Sequence, residues 1–464
     1  MSEPESIIDH IHSSWREDVK NHIVLELERR GDLDEIEYGQ ILADTLAGCV
    51  GQFVFTCGQF WAYSPVTGLY QPISEFEIHT LLYELHKAKG HDGILHSLTN
   101  AKINKIVNIA TRKLTDNKFF EDTPKGLSSN DGFLILLQNR VELKEHSACY
   151  RSRWKVSVPF SPLTDVDETA SEIAKMVGGT ENAQAFLETL GVALFGLGTR
   201  FGRMLVFVGE GANGKSTLVN IMCQLIPAAV RSSVPLTALK TEYDRVELDG
   251  KVLNTLEELP VLSNTDVQLV KNIITGGSIQ ARQIGKPAFT MNPIAQHVIC
   301  TNRLPSLHEN NEALRRRLVV IRLDRVIPEG ERDLDFAQMF FDRHKEALVN
   351  LAISALQDAL ERGRLYEPNT SKREVDKWLD GSDFIRSFIR DCIEQTGNPK
   401  ERVTATEMYD ACVNYANQHE LSPPTSPRAF GSRLEAAGFE KTKSSIMHWV
   451  AVRLRADSWE GRED

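Results

Sequence analysis

Eight consecutive residues, Gly209-Glu210-Gly211-Ala212-Asn213-Gly214-Lys215-Ser216, fit the spacing G-x-x-x-x-G-K-[ST]. The chemistry of that spacing is phosphate binding. Glycines let the backbone curl so that successive N–H groups point inward, and a helix starting at the lysine adds its positive end. Lys215 would reach the β/γ-phosphates and Ser216 would hold Mg²⁺. The flanks supply the context the motif needs: an apolar run, Leu205-Val206-Phe207-Val208, precedes it. Helical apolar spacing through Thr217-Leu218-Val219-Asn220-Ile221-Met222 follows it. Gly209 to Thr217 are therefore expected to bind ATP.

Further along are other groups that suit phosphoryl chemistry. The strand-like run Lys251 to Leu256 ends in Glu257-Glu258. Acids at such a strand end can order a Mg²⁺ shell and polarise an attacking water, so Glu257 is assigned to the metal and Glu258 to the general base, roles the two could share. Asn254 interrupts that run with a polar side chain. Ala295 to Thr301 reads as another buried strand and ends at Asn302, whose amide could orient the lytic water or touch the γ-phosphate. Arg315-Arg316-Arg317 precede a further apolar strand. Guanidinium groups suit stabilisation of charge on a transferring phosphoryl group, from within the chain or from a neighbouring subunit. Ile279 to Thr290 reads as a hairpin with a cationic tip at Arg282 and Lys286. In a ring, repeated copies of such a tip would form a collar for a phosphate backbone.

Elements must bring these groups together, and the chain is long enough to do so. It has 464 residues, a formal net charge of −11 and seven cysteines. The length suits two to four domains. The charge excludes a general polyanion binder, so nucleic acid would have to meet a local basic surface. The cysteines include no C-x-x-C pair, which argues against a zinc ribbon or disulfide framework and for reduced thiols in the cytoplasm. No apolar run reaches membrane-spanning length, and the acidic opening Met1-Ser2-Glu3-Pro4-Glu5 does not read as a secretory signal. Helical spacing is expected over Glu17–Glu28, Ile36–Ala47, Glu75–Lys89 and Asn100–Leu114, with short strands at 53–55, 60–63, 69–70, 131–137 and 141–143. Trp61, Tyr63 and Tyr70 could stack bases, although strand aromatics more often pack as core. Helices at 173–176 and 183–197 lead into the phosphate-loop strand.

In order, GEGANGKST, LNTLEE, TGGSIQARQIGKPAF, HVICTN and EALRRRLVVI resemble the motifs of superfamily 3 helicases, most closely the poxvirus- and phage-type primase–helicases. The resemblance covers roughly residues 180–330. It implies an AAA+-like parallel-sheet core with ATP and Mg²⁺ as cofactors. Lys215 and Ser216 would take phosphate and Mg²⁺, Glu257 and Glu258 metal and water. Asn302 would be the sensor, Lys286 with Arg282 the DNA contact, and Arg316 or Arg317 a finger acting in trans. It further implies a ring, commonly hexameric, moving 3′ to 5′ on single-stranded or forked DNA. Gly285 stands where the family places an aromatic beside the hairpin lysine. No zinc cluster or acidic polymerase motif marks the N-terminal region, so a primase or polymerase would be on a separate chain.

Phe336 to Arg362 has helical spacing and is expected to close the core as a bundle or lid. Beyond it, helices at 383–395 and 406–419, a helix capped by Ser426 and Pro427, and strands at 441–443 and 448–455 make a winged-helix layout. Its last helix and wing carry Arg428, Arg433, Lys441 and Lys443, which could dock duplex DNA or serve protein contacts. The expected organisation is an α+β accessory region over 1–180, an α/β ATPase core over 181–380 and a winged-helix domain over 381–464. The expected activity is an ATP-dependent DNA helicase for replication of a phage, plasmid or other mobile element, in the host cytoplasm if viral. The alternatives are a replication initiator using ATP as an assembly switch and a P-loop ATPase that remodels protein assemblies.

Overall fold

Hydropathy along the chain alternates between helical and strand periods, and the computed structural model follows those changes. It describes residues 5–30, 33–48, 52–86, 98–121, 123–258, 264–285, 288–302, 304, 315–382, 384–418, 426–443 and 446–455. The N-terminal part begins with α1 (Glu5–Arg30) and α2 (Glu35–Gly48), then an antiparallel sheet of β1 (Val54–Thr56), β2 (Gln59–Ser64) and β3 (Leu69–Ile73). Next come α3 (Glu75–Glu84) and α4 (Asn100–Leu114), then a second antiparallel sheet of β4 (Gly126–Ser128), β5 (Phe133–Leu137) and β6 (Arg140–Lys144). Ser74 and Glu77 cap the start of α3 reciprocally, which fixes where it begins. It ends at Glu84, earlier than its apolar spacing suggests; residues 87–97 lie outside the described ones. Val19, Ile23 and Leu27 of α1 share one core with Leu42, Leu46, Ile106 and Val107. Trp61 and Tyr70 are buried, each in edge contact with Phe119 or Phe120 at 5.1 Å, so they are core rather than stacking platforms.

The middle of the chain opens with α5 (Asp167–Val177) and α6 (Thr180–Leu194). The central elements follow: β7 (Met204–Val208), α7 (Lys215–Leu225), β8 (Arg231–Ser232), α8 (Glu242–Arg245), β9 (Leu253–Leu256) and α9 (Asn264–Ile274). A hairpin of β10 (Ile279–Ala281) and β11 (Phe289–Met291) precedes β12 (Gln296–Thr301), β13 (Leu318–Arg322), α10 (Phe336–Arg362) and α11 (Asn369–Ser382). Five parallel strands form the sheet, in the order β13-β7-β12-β9-β8. Its strands are apolar on both faces because helices cover both. Leu205 and Phe207 join the core with α6, α7 and α10, while Met204, Val206 and Val208 join the core with α9 and the hairpin. The long helix α10 packs along α5, α6 and α7 as a layer of this core, so of bundle and lid it is the bundle.

Two buried polar ties hold the layers. Glu188 of α6 is fully buried and accepts from Arg362 at the end of α10 (3.0 Å) and from the Tyr366 amide. Asn254, the polar break in β9, accepts from Ser232 Oγ and the Val234 amide, both at 2.9 Å, and donates to the Val234 carbonyl. It also meets His297 Nδ1 of β12 at 3.1 Å. The break is thus a splice between neighbouring strands, satisfied on every side.

The C-terminal part holds α12 (Phe384–Cys392), β14 (Ile393–Gln395), β15 (Arg402–Thr404), α13 (Ala405–Gln418) and α14 (Pro427–Ala436). It closes with β16 (Lys441–Lys443), β17 (Met447–Val450) and β18 (Val452–Leu454). The sheet β15-β17-β16 is antiparallel, and Phe388, Met408, Phe430, Leu434 and Trp449 pack beneath it. Ser426 caps α14 through the Ala429 amide, and Pro427 stands in its first turn. The Pro423–Thr425 lead-in lies outside the described residues. Among the described residues no helix is long and apolar enough to cross a membrane.

Burial drives the His297 imidazole down to a pKa of about 4, against an ordinary value of 6.5. The unfolded chain therefore takes up this proton first, and stability is lost as pH falls from about 6.5 to about 4. Urea unfolding at pH 7 and pH 5 should differ by about 2 kcal/mol through this residue. His297→Gln, which keeps an acceptor for Asn254, should remove that part of the slope; an unchanged slope would show that His297 does not titrate on unfolding.

Candidate functional site

Strand register sets the site. Val208 of β7 pairs with Thr301 of β12, and Leu256 of β9 pairs with Ile299. All strands run the same way, so the chain leaves the sheet at Gly209, Glu257 and Asn302 along one edge. The connection after β7 crosses one face through α7 toward β8, whereas that after β9 returns across the other face through α9. A crevice at such a reversal, outside the carboxyl ends of the strands, is where open α/β sheets bind ligands.

The loop between β7 and α7 is tightly built. The Gly209 amide donates to the Thr301 carbonyl at 3.2 Å. A Cβ on Gly209 would stand 1.9 Å from Asn213 Nδ2 and 2.5 Å from the Leu323 carbonyl, so only glycine fits. Ala212 and Gly214 take left-handed backbone, with φ of 59° and 86°. For alanine this conformation costs about 1–2 kcal/mol. The neighbouring chain holds it there: the Ile327 amide donates to the Ala212 carbonyl at 2.8 Å. Asn213 donates to the Leu323 carbonyl at 3.1 Å. Leu323 and Ile327 act through backbone atoms, and no sequence signal marks them.

Beneath this loop lies the lysine. Lys215 is only 9% exposed; its Nζ donates to the Gly209 carbonyl at 2.5 Å and to Asn213 Oδ1 at 3.0 Å. Both acceptors are neutral, and among the described residues no carboxylate pairs with it. A buried ammonium without a counter-charge is costly, and a bound anion would relieve it. Ser216 is exposed at the start of α7, and Glu257 and Glu258 are exposed at the end of β9. The Cys300 thiol of β12 is pushed up to about 11, chiefly by burial; Lys215 pulls it down and Glu257 pushes it up. Lys215 and Glu257 therefore flank the same stretch of β12. Asn302 is exposed where that strand ends. Lys215, Ser216, Glu257, Glu258 and Asn302 thus gather at one edge, where they can hold a polyanion, a divalent cation and a polarised water. Among the described residues there is no cluster of three or more His, Cys, Asp or Glu that could hold a metal without a ligand's help.

The arginines lie elsewhere. Arg317 immediately precedes β13, and its carbonyl accepts from the Met204 amide at 2.6 Å, at the opposite edge of the sheet. A strand of five residues, about 16 Å, separates it from the glycine-rich loop. Action from within the same chain is therefore out of reach. Arg315 pairs with Asp376 of α11. Arg317 is half-buried beside Arg316 and Arg203, and burial first, then those charges, lowers its pKa. Arg316 is exposed.

On the hairpin, Lys286 lies outside the described residues. Arg282 does not project from a tip: its Nε pairs with Glu242 Oε1 at 3.0 Å and its amide donates to the Glu242 carbonyl. Arg282, the first residue after β10, thus anchors the base of the hairpin loop on α8. In the C-terminal part Arg428 and Lys443 are exposed, Arg433 is half-buried, and Lys441 pairs with Glu435 at 2.7 Å over the Trp449 ring.

Residues 207–317 match a family model described as a family of unknown function, DUF5906. No curated protein matches the chain. Among solved structures, the A form apo structure of the NrS-1 C terminal region superimposes with a TM-score of 0.51 at 13% identity, over 90% of this chain and 99% of that one. The apo structure of NrS-1 C terminal region (305-718) gives 0.51 at 12% identity, over 91% and 100%. At such identity the likeness is one of fold.

Because Gly209 has no room for a Cβ and Gly211 faces open space, the two substitutions should separate. Gly209→Ala should destabilise the chain by about 2–4 kcal/mol in urea unfolding, and Gly211→Ala by less than about 0.5 kcal/mol. Equal effects would mean the loop is not held as described.

Proposed function

We propose that this chain is an ATP-driven DNA helicase of replication, working as a ring of identical subunits and moving 3′ to 5′. The observation that carries the reading is the buried Lys215 ammonium, held by neutral acceptors under a loop at a helix N-terminus. Such a site favours an anion, and a triphosphate would supply one. The loop amides and Lys215 would take the β/γ-phosphates. Mg²⁺, which Ser216 and Glu257 would hold, would neutralise phosphate charge as a Lewis acid. Glu258 would take a proton from the attacking water, and Asn302 would orient that water. Arg316, the outward member of its triplet, would reach the phosphates of the neighbouring subunit.

A cycle of this kind links hydrolysis to strand movement. Closing an interface around ATP would shift the β10–β11 hairpin, which rests on α8 through Arg282. The C-terminal part, with strands and helices in winged-helix order, would dock forked duplex DNA through Arg428 and Lys443. Fold likeness to the NrS-1 C terminal region supports a replication role in a phage, plasmid or other mobile element. A primase or polymerase on another chain would be the partner.

The test is ATP hydrolysis with and without single-stranded DNA, beside unwinding of a forked duplex. Strong stimulation and unwinding are expected, and Glu258→Gln should lower hydrolysis by about 10²–10⁴-fold. Hydrolysis indifferent to DNA, without unwinding, would favour the remodelling or initiator reading. Mixing Lys215→Ala with Arg316→Ala subunits should restore partial activity, since some interfaces then pair an intact lysine with an intact arginine. No recovery at any ratio would remove Arg316 from the shared site.

A further inference from the structure

A second cleft, about 860 Å³ in volume, lies between the N-terminal part and the core, away from the glycine-rich loop. Its walls come from the β1–β2 turn, residues 117–118, 120–121, 123–128 and 150–154, the Asp249-Gly250 loop and the base of the β10–β11 hairpin. In a chain of net charge −11, this cleft gathers Lys118, Lys125, Arg151 and Arg153 against Glu121 and Asp249. Lys118 and Lys125 are exposed, and among the described residues no carboxylate pairs with either.

The cations alternate with rings. Arg151 lies over Phe119 at 4.3 Å and donates to its carbonyl. Arg153 lies over Phe120 at 4.7 Å and reaches across to Gly250, where a Cβ would meet its guanidinium at 2.7 Å. Tyr150 is half-buried and stacks on Phe133 at 4.1 Å, with 8° between the planes. Trp154 and Phe289 complete the aromatic lining. Guanidinium planes and aromatic faces between lysines are the components that bind unpaired bases and their phosphates. A duplex hides its base faces and is too wide for this space. The floor continues onto Gln283 and Phe289 to Asn292 of the hairpin, so a polymer lying along the hairpin would run into the cleft.

We propose that this cleft grips a few nucleotides of single-stranded DNA, as a second strand-binding site separate from the hairpin tip. The inference rests on the reading of the chain as a DNA motor, but strand binding can be measured without hydrolysis. The full chain is titrated into a fluorescein-labelled oligothymidylate, followed by anisotropy over a series of salt concentrations. Lys118→Ala/Lys125→Ala should bind about tenfold more weakly. Its log affinity against log salt should flatten by about 1.4, the value for two lost phosphate contacts on a single strand. Both side chains are exposed, so the thermal midpoint should stay that of the wild type.

In parallel, an oligonucleotide carrying 4-thiothymidine is cross-linked to the wild-type chain and the attached peptides are mapped. Cross-links within 117–126 and 150–154 are expected. Unchanged affinity and slope, with cross-links confined to positions 284–288 of the hairpin, would overturn the cleft as a binding site. Absence of any oligonucleotide binding would overturn it as well. The two readings can fail apart. Cleft cross-links in a chain that does not hydrolyse ATP would sink the motor and keep the site. DNA-stimulated unwinding with a wild-type slope in the double variant would sink the site and keep the motor.

Discussion

A lysine ammonium held out of water, with no carboxylate paired to it among the described residues, is the constraint around which the central part of this protein is built. Lys215 satisfies its donors with Gly209 and Asn213, but both are neutral. Burial of the charge is tolerated because the loop around it is braced from two sides. The end of β12 holds the Gly209 amide, and the chain leaving β13 holds Asn213 and Ala212. The left-handed alanine and the glycine with no room for a methyl group both follow from that bracing. A site built in this way favours an anion, and among the described residues Glu257 and Glu258 stand exposed at its rim, where a cation could bridge them to the anion.

Rigidity of that rim depends on polar groups far from it. Asn254 joins β8, β9 and β12 at mid-sheet, and Glu188 with Arg362 joins two helices of the covering layer. Leaving either buried member without its partner would cost more than the pair contributes, so such networks fix an arrangement more than they stabilise it. With the strands spliced, Glu257 and Asn302 cannot slip in register relative to Gly209. A one-residue slip would also turn each strand's apolar residues to the wrong face.

The opposite edge of the sheet carries the arginine triplet, and this division has a consequence for assembly. Arg316 faces outward about a strand's length from the glycine-rich loop. For Arg316 to act at such a loop, the loop would have to belong to a second copy of the chain, which is what the proposed ring would supply; Arg322, which ends β13 beside Val208, is the guanidinium of the same chain nearest in register. The second cleft adds a further separation: the proposed strand contact lies on the side of the hairpin base, and the proposed phosphate contact at the strand ends. The hairpin is a sheet of its own, but its Ile279, Ala281 and Met291 share one core with Met204, Val206 and Val208 of the strand that leads into the loop.

Much of this was legible in the residues. The eight-residue loop pattern, the paired acids, the strand-ending asparagine and the arginine triplet could be read because each depends on residue types at short spacing. The parallel α/β core followed from apolar strands alternating with helical segments. Several features were not legible, for physical reasons. Asn254 read as a flaw in its strand because its partners, Val234 and His297, are distant in the chain. Arg282 read as a tip cation because sequence does not reveal that Glu242 folds beside it. Leu323 and Ile327 hold the loop through backbone atoms that every residue has. The edge on which the arginines lie, and the meeting of residues 117–154 with the hairpin in one cleft, depend on strand direction and the packing of distant segments. Sequence by itself determined which chemical groups this protein has and the local turns that aim them; tertiary structure decided which groups share an edge, because long-range register and burial, not spacing, set those distances.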